Sequence, residues 1–211
     1  MKLKNLLKIG MLFLITLSFN SCASGYKIIN PQNLNYNSNH GNKQILLEYK
    51  YDLLEKKYKK KETKRGLKLI AVKITNYSDK DIIFGKDIKL IYENGDELIY
   101  IENERVFKSL KQSSATYLLY LLLSGMRITN TKISQNGIES NNIPIGLIVG
   151  PGLAGRNIVK ASSANKKFQA ELLEFKISNT IIKKGRTVYG LIGIQSNNYD
   201  TIKLKVKKNN V

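Results

Sequence analysis

The sequence predicts a mainly β protein, an antiparallel β-sandwich that carries an inserted helical hairpin. Three observations lead to this fold class. Short segments in which apolar and polar residues alternate recur along the chain, which is the pattern of half-buried strands. Turn-forming residues separate these segments, as in Asn94-Gly95 between two apolar runs, and Asn-Gly is a strong hairpin signal. One stretch, at about 103–173, has apolar residues at helical spacing instead and interrupts the strands.

Composition limits the possible functions. A chain of 211 residues with 42% hydrophobic and 24% charged residues is typical of one folded domain with an appendage. Its single cysteine excludes an internal disulfide framework, and its single histidine excludes a multi-histidine metal site. The motif Ser163-x-x-Lys166 occurs without the Ser-Asp-Asn and Lys-Thr-Gly motifs that would complete such a catalytic site. We therefore expect a non-enzymatic protein with no cofactor and no metal.

Residues 1–21 have the organisation of a secretory signal peptide. A basic start is followed by an apolar stretch at 9–17, which is too short to span a bilayer. The basic residues are Lys2, Lys4 and Lys8. A polar segment then leads directly to Cys22.

The junction at Cys22 resembles a bacterial lipoprotein signal, in which a small residue, here Ser21, precedes the modified cysteine. Phe19 departs from the pattern, which prefers Leu, Val or Ala at that position. The resemblance implies cleavage before Cys22, attachment of diacylglycerol and palmitate-type acyl chains there, and a location in the bacterial cell envelope, at the outer membrane in preference to the inner. The alternative is an ordinary signal peptide cut near Ala23.

The segment at 22–44 is rich in Asn and Ser and has no periodicity, so we expect a flexible tether. His40 lies in this segment, and we expect its side chain to be solvated. The folded body then occupies 45–211. Its predicted strands lie at 45–54, 67–75, 81–84, 88–92, 98–101, 175–182, 187–195 and 201–207.

A Lys-rich run separates the first two strands, and we expect it to form an exposed hairpin loop. Its candidate anion-binding residues are Lys56, Lys57, Lys59, Lys60, Lys61, Lys64 and Arg65. Nucleic acid is not the expected partner, because the protein is exported and its net charge of +19 comes mainly from Lys. We expect coding bias in an AT-rich genome to be the main cause of this surplus of positive charge. The alternative is that the lysines serve to attract anionic glycan or lipid headgroups.

Three segments carry two resemblances to known families. The turn Asn76-Tyr77-Ser78-Asp79 between strands and the run I-I-K-K-G-R-T-V-Y-G-L-I-G at 181–193 resemble immunoglobulin-like domains of bacterial lipoproteins. The segment at 155–168 resembles uncharacterised lipoproteins of Bacteroidetes-type bacteria. These resemblances imply an immunoglobulin-like sandwich.

The insertion predicts two helices, at 104–126 and 143–173, joined by a polar loop at 127–142. Pro144 suits the start of the second helix, although Pro151 makes a continuous straight helix doubtful. Possible membrane or helix-packing residues are Leu118, Leu121, Leu122, Gly146, Gly150 and Ala154. The hairpin could cross the membrane, lie at its interface, or pack within the fold or against a partner such as an envelope protein or a second copy.

Overall fold

The computed structural model describes residues 22–41, 44–125, 127–134, 137–143 and 146–207. The signal peptide at 1–21 and the helix start at Pro144 lie outside the described residues. The chain forms two compact units. The first unit contains Met1–Gly25 and Gln112–Ala164, and the second contains Tyr26–Lys111 and Asn165–Val211.

The described strands of the second unit are β1 Ser38–Gly41, β2 Ile45–Lys50, β3 Leu67–Asn76, β4 Ile82–Ile83, β5 Ile88–Tyr92, β6 Tyr100–Ile101, β9 Ile181–Ile182, β10 Thr187–Gln195 and β11 Ile202–Val206. Five of them form an antiparallel sheet in the order β1-β2-β3-β10-β6. The others form two short antiparallel pairs, β5 with β11 and β4 with β9. The strands predicted at 67–75, 88–92 and 187–195 are confirmed.

One face of the five-stranded sheet shares a core with the two short pairs. Ile70, Val72 and Ile74 alternate along β3, and they belong to the same buried cluster as Ile88 of β5 and Ile202 of β11. Period-two burial places these side chains on one face of β3. The protein is therefore mixed α and β, with antiparallel sheets that pack through a common apolar core.

Two helices, α1 Lys56–Arg65 and α2 Asn103–Leu110, pack on the opposite face of the same sheet. The third described α-helix is α3 Gly146–Glu174. The Glu62 carboxylate of α1 accepts a hydrogen bond from the Leu69 N–H of β3 at 2.7 Å. Gly193 of β10 lies directly against Val106 of α2, which is fully buried. This helical layer is an addition to the predicted sandwich.

The Lys-rich run is a helix, so the predicted hairpin loop is wrong. Tyr58 and Glu62, one turn apart, are both buried and give α1 an inner face. Gly66 ends the helix in the left-handed conformation with φ 59°, and its N–H bonds to the last turn. These signals lie among so many lysines that hydrophobic periodicity does not reveal them.

The predicted helix at 104–126 is divided in the structure. α2 ends at Leu110, and a 3-10 helix, η2, follows at Ala115–Gly125. The predicted polar loop at 127–142 is instead a β-hairpin, formed by β7 Ile128–Ser134 and β8 Gly137–Ile143. Its ends pair Ile128 with Ile143. Alternation of Ile and Thr with polar residues explains this strand structure.

The second predicted helix, at 143–173, is present and is more regular than expected. α3 runs without interruption through Pro151, and its residues from Asn165 onward belong to the second unit. No helix within the described ranges combines the length and the apolar composition that crossing a bilayer requires.

The segment predicted as a flexible tether is largely structured. A short 3-10 helix, η1, occupies Pro31–Asn33, and β1 pairs with β2 in the sheet. His40 lies in β1, where its Nδ1 accepts a hydrogen bond from the Leu204 N–H at 3.1 Å. The side chain is partly exposed, as its expected solvation requires, and one ring nitrogen also serves as an acceptor for the β11 backbone.

Candidate functional site

The peptide that follows Cys22 is held in the first unit by two buried amide side chains. The Ala23 N–H donates to Asn157 Oδ1 at 2.7 Å. The Ser24 N–H donates to Gln112 Oε1 at 3.0 Å, and Gln112 Nε2 donates back to the Ser24 carbonyl at 2.7 Å. We call Gln112 and Asn157 the N-terminal clamp. The clamp fixes the backbone immediately after Cys22, while Cys22 itself is exposed.

Further hydrogen bonds orient the clamp. Asn157 Nδ2 donates to the Leu153 carbonyl one turn earlier in α3 at 2.9 Å, which leaves its oxygen directed at the Ala23 N–H. The Tyr117 hydroxyl donates to Gln112 Oε1 at 3.2 Å. An amide side chain offers one acceptor end and one donor end. The bond to Leu153 therefore fixes the Asn157 oxygen toward Ala23, and the bond from Tyr117 fixes the Gln112 oxygen on the side of the Ser24 N–H.

An apolar cluster lies beside the clamp. Ala23, Tyr117, Ala154 and Ala161 are buried together, with Ile158 packed against them. Ala154, predicted as a helix-packing residue, therefore contacts the N-terminal peptide and η2. Burial raises the pKa of Tyr117, and its interaction with the neighbouring Cys22 raises it further. Because Ala23 packs with Tyr117 in this cluster, the residue that follows Cys22 lies at the start of η2.

The candidate leucines are exposed beyond Tyr117. Leu118 is 51% exposed, Leu121 44% and Leu122 78%, and the adjoining Leu119 is 62% exposed. These four side chains of η2 form what we call the leucine surface. Gly150, also a predicted packing residue, is buried in α3, and the surroundings of Gly146 lie outside the described part of the chain. The structure thus brings Cys22 and the predicted leucines into one unit.

In the second unit, a buried carboxylate holds the next part of the N-terminal segment. Glu171 of α3 accepts hydrogen bonds from the Ile29 and Asn30 N–H groups at 2.8 and 2.7 Å. The Tyr26 hydroxyl donates to the same carboxylate at 2.5 Å. Burial first, and this hydrogen bond second, raise the pKa of Tyr26 well above its usual range. The segment is therefore a fixed strap on the domain and not a spacer.

A cleft of about 300 Å³ lies beside this strap. Its lining includes Ile28, Gln32, Lys167 and Glu174. The carboxylate at its wall, Glu171, already accepts three hydrogen bonds from the strap. The cleft therefore offers no buried group that is free to act on a ligand.

The seven candidate anion-binding residues all lie on α1, but they differ in environment. Lys56, Lys60 and Lys64 recur every fourth residue and are exposed, so they form an outward stripe. Lys59 pairs with Asp52 at 3.1 Å, and Lys61 donates to the Lys111 carbonyl. Lys57 is half-buried and Arg65 is exposed.

The positive side chains on and beside α1 make the surface of this helix electropositive. Burial first, and then the positive charges of Arg65 and Lys111, lower the pKa of Lys61. A pKa shift of this kind means that adding another positive charge nearby is unfavourable, and an anion would relieve the repulsion.

Metal and comparison findings add no further site. Among the residues the structure describes, no group of three or more His, Cys, Asp or Glu side chains is arranged to hold a metal ion. Comparison with protein-family models, with curated proteins and with solved structures finds no match.

Sequence reasoning missed the clamp and the strap. Gln112 and Asn157 look like polar residues near the ends of apolar helices, yet both are buried, at 2% and 6% exposure. Their partners are 88 and 134 residues away in sequence. Glu171 bonds to residues 141 to 145 positions away. No local pattern signals contacts of such range.

Proposed function

We propose that this protein is a non-enzymatic, lipid-anchored protein of the bacterial cell envelope, in the outer membrane in preference to the inner. Cys22 carries the lipid, and the leucine surface of the first unit lies in the membrane interface. The protein's role is structural or one of interaction at the membrane, through the apolar helical insertion, with an envelope protein or a second copy as the expected partner. The second unit provides an immunoglobulin-like sandwich, and the core that its antiparallel strands share supports this part of the proposal.

One observation carries this proposal: the exposed Cys22 and the exposed leucines meet within the first unit. Ala23, which follows Cys22, packs against Tyr117, which precedes Leu118. Clusters of exposed large apolar residues mark sites that contact a membrane or another protein. A lipid attached at Cys22 would leave the protein beside such a cluster.

The lipid and the leucines both contribute to membrane binding. A single acyl chain holds a protein on a membrane only marginally, whereas the two or more chains implied for Cys22 hold it durably. Full burial of one leucine side chain contributes about 1.5 to 3 kcal/mol. The four partly exposed leucines therefore supply enough apolar surface to strengthen a lipid anchor substantially.

The test is membrane fractionation of two variants. Cys22→Ser should abolish palmitate labelling and release most of the protein from membranes or leave its precursor uncleaved. Leu119→Gln/Leu122→Gln should keep palmitate labelling but increase the fraction extracted at low detergent concentration, because the multiple acyl chains resist washing alone. Ile99→Gln is the matched control, because Ile99 of the second unit is 79% exposed and thus as accessible as Leu122.

Two results would count against the proposal. Membrane retention of Cys22→Ser equal to that of the natural sequence would remove the lipid as the principal anchor. Equal extraction of the leucine variant and the Ile99→Gln control would remove the leucine surface from the membrane.

A second candidate function is binding of an anionic glycan or of lipid headgroups by α1. The outward stripe of Lys56, Lys60 and Lys64 favours it, and so does the pKa of Lys61, which burial lowers first and the neighbouring positive charges lower further. Each lysine near an anionic surface contributes about 1 kcal/mol.

Retention on a sulfated polysaccharide column tests this second function. Lys56→Gln/Lys60→Gln/Lys64→Gln should elute at clearly lower salt than the natural sequence. The control is Lys183→Gln/Lys184→Gln/Lys207→Gln, which removes the same charge from other positions of the second unit. Equal elution of the two triple variants would show that only net charge matters.

A further inference from the structure

The clamp and the leucine surface together point to a function for the buried peptide after Cys22. We propose that the N-terminal clamp is a positioning site for the lipidated N-terminus, which holds Ala23 and Ser24 so that the acyl chains leave the protein beside the leucine surface. This inference rests on the proposed lipid anchor and concerns how that anchor is oriented.

The hydrogen-bond pattern supports a dedicated binding site for this peptide. Gln112 pairs with both the N–H and the carbonyl of Ser24, and Asn157 takes the N–H of Ala23. Both amides are almost completely buried. A buried amide left without partners is costly, so the N-terminal peptide has to occupy the clamp.

An unpartnered hydroxyl lies in the same place. Ser24 Oγ is buried and has no hydrogen-bonding partner within the residues that the structure describes. Buried hydroxyl groups normally donate to an acceptor. An acyl or ester carbonyl attached to the adjacent Cys22 would supply one, which makes the modified cysteine itself the group that completes the site.

Because the clamp holds Ala23 and Ser24, the residues after Cys22 do not form the flexible spacer that the sequence suggests. If residues 22–25 were free and extended, they would let the protein rise by up to about 14 Å from its lipid, at 3.3 to 3.6 Å per residue. That distance is about twice the depth of one headgroup layer, which is roughly 5 to 7.5 Å in a bilayer of about 40 to 45 Å with a hydrocarbon core of about 30 Å. With the clamp closed, the leucine surface is held at the interface by the lipid.

The absence of tryptophan from the chain makes this inference directly measurable. Leu122→Trp introduces a single indole on the leucine surface, at the most exposed of its four positions. The lipidated protein is placed in vesicles of phosphatidylethanolamine and phosphatidylglycerol that contain brominated phosphatidylcholine. Quenching by bromine reports insertion of the indole into lipid, and quenching by acrylamide reports its exposure to water.

In the Leu122→Trp protein we expect strong bromine quenching and weak acrylamide quenching. Adding Gln112→Ala/Asn157→Ala should reverse this order, while the protein still floats with the vesicles through Cys22. Gln169→Ala is the matched control, because Gln169 is exposed on α3 and outside the clamp. It should leave both quenching signals unchanged.

A second variant with a smaller change accompanies the double alanine protein, and the melting temperature of each is measured so that only folded protein is compared. Gln112→Glu keeps an oxygen for the Ser24 N–H but, when ionised, cannot donate to the Ser24 carbonyl, so it should shift the quenching in the same direction, with a lowered melting temperature because it buries a charge. Ser24→Ala removes only the unpartnered hydroxyl and should weaken the bromine quenching by a smaller amount.

The possible failures are distinguishable. If bromine quenching persists in folded Gln112→Ala/Asn157→Ala and Gln112→Glu, the clamp does not position the anchor, although the proposed function stands. If the Leu122→Trp protein floats but shows no bromine quenching, the leucine surface does not enter lipid. If it does not float, the lipid anchor itself is wrong.

Discussion

Glu62 shows how a single buried side chain makes stability depend on pH. Its carboxylate accepts a hydrogen bond from the Leu69 N–H, yet burial raises its pKa above the usual value of 4.5. A raised pKa in an acid means that the folded protein favours the protonated form. The contribution of Glu62 to stability is then fully present below the unfolded pKa and is lost as pH rises through the folded pKa.

We therefore expect Glu62→Gln to gain stability relative to the natural sequence as pH rises from 4 to 7. Glutamine retains the carbonyl oxygen that accepts from Leu69 but carries no charge to desolvate. Urea unfolding of both proteins at several pH values measures the difference. Glu93→Gln, in an exposed ion pair with Lys203, serves as the control. A difference that is constant with pH for Glu62→Gln would contradict the argument.

Gly190 shows how closely two elements approach in the second unit. A Cβ at this position of β10 would lie 2.6 Å from Ile177 Cβ, and Ile177 is buried. We expect Gly190→Ala to reduce the free energy of unfolding by about 1 to 3 kcal/mol, because a branched, packed side chain has no room to move.

The matched control for this substitution is Gly155→Ala in α3. No atom outside its own helix lies within 4 Å of the added methyl group. Alanine is favoured over glycine in a helix interior by about 1 kcal/mol, so this variant should gain stability. Thermal unfolding of both variants measures whether the first change lowers and the second raises the stability of the protein. A loss of stability from Gly155→Ala would indicate a contact at that position.

At the scale of elements, a helix or strand could be predicted from the sequence when its own residues carry a clear hydrophobic pattern. β3 and β10 were predicted because their apolar runs are long, and Leu67 and Gln195 pair at the end of a continuous register. α1 was missed because only Tyr58 and Glu62 face inward, and one of them is charged. The hairpin at 127–142 was missed because its polar residues resemble a loop when its partner strand is not considered.

Tyr58 tests whether α1 is a packed helix or an exposed connection. Its ring contacts Tyr26 and Phe168 edge-on at 5.2 and 5.1 Å between centroids, and its hydroxyl donates to Asn165 Oδ1 at 2.9 Å. Tyr58→Ala should cost about 3 to 5 kcal/mol of unfolding free energy by leaving a cavity. Tyr58→Phe, which removes only the hydroxyl, should cost about 0.5 to 1.5 kcal/mol.

Urea unfolding distinguishes these two costs. A loop of the kind that the sequence suggested would tolerate both changes equally. A near-zero cost for Tyr58→Ala would therefore show that α1 is not packed against the strap and the end of α3. The tyrosine's burial at 1% exposure leads us to expect the opposite.

At the scale of the whole molecule, the sequence placed the insertion boundary at about 103–173, and the structure divides the chain elsewhere. The first unit takes only Gln112–Ala164 from that range. α2 and the end of α3 belong to the second unit, where Val106, Leu110, Phe168 and Leu172 are all buried. Helical periodicity identified these helices correctly as apolar on one face, but it could not show which core receives that face.

Two deletions test which of these two boundaries describes the folded units. Replacing 113–164 with a flexible Gly/Ser linker retains every buried side chain of the second unit named above, so this variant should unfold cooperatively and keep its strand signal in circular dichroism. Replacing 103–173 with the same linker removes Val106, Leu110, Phe168 and Leu172 together. Loss of even one such large buried side chain costs about 2 to 5 kcal/mol, and a whole domain is stable by only about 5 to 15 kcal/mol. The longer deletion should therefore fail to fold. Cooperative folding of the longer deletion would show that the sheet needs no helical cover, and failure of the shorter one would show that the second unit depends on the first.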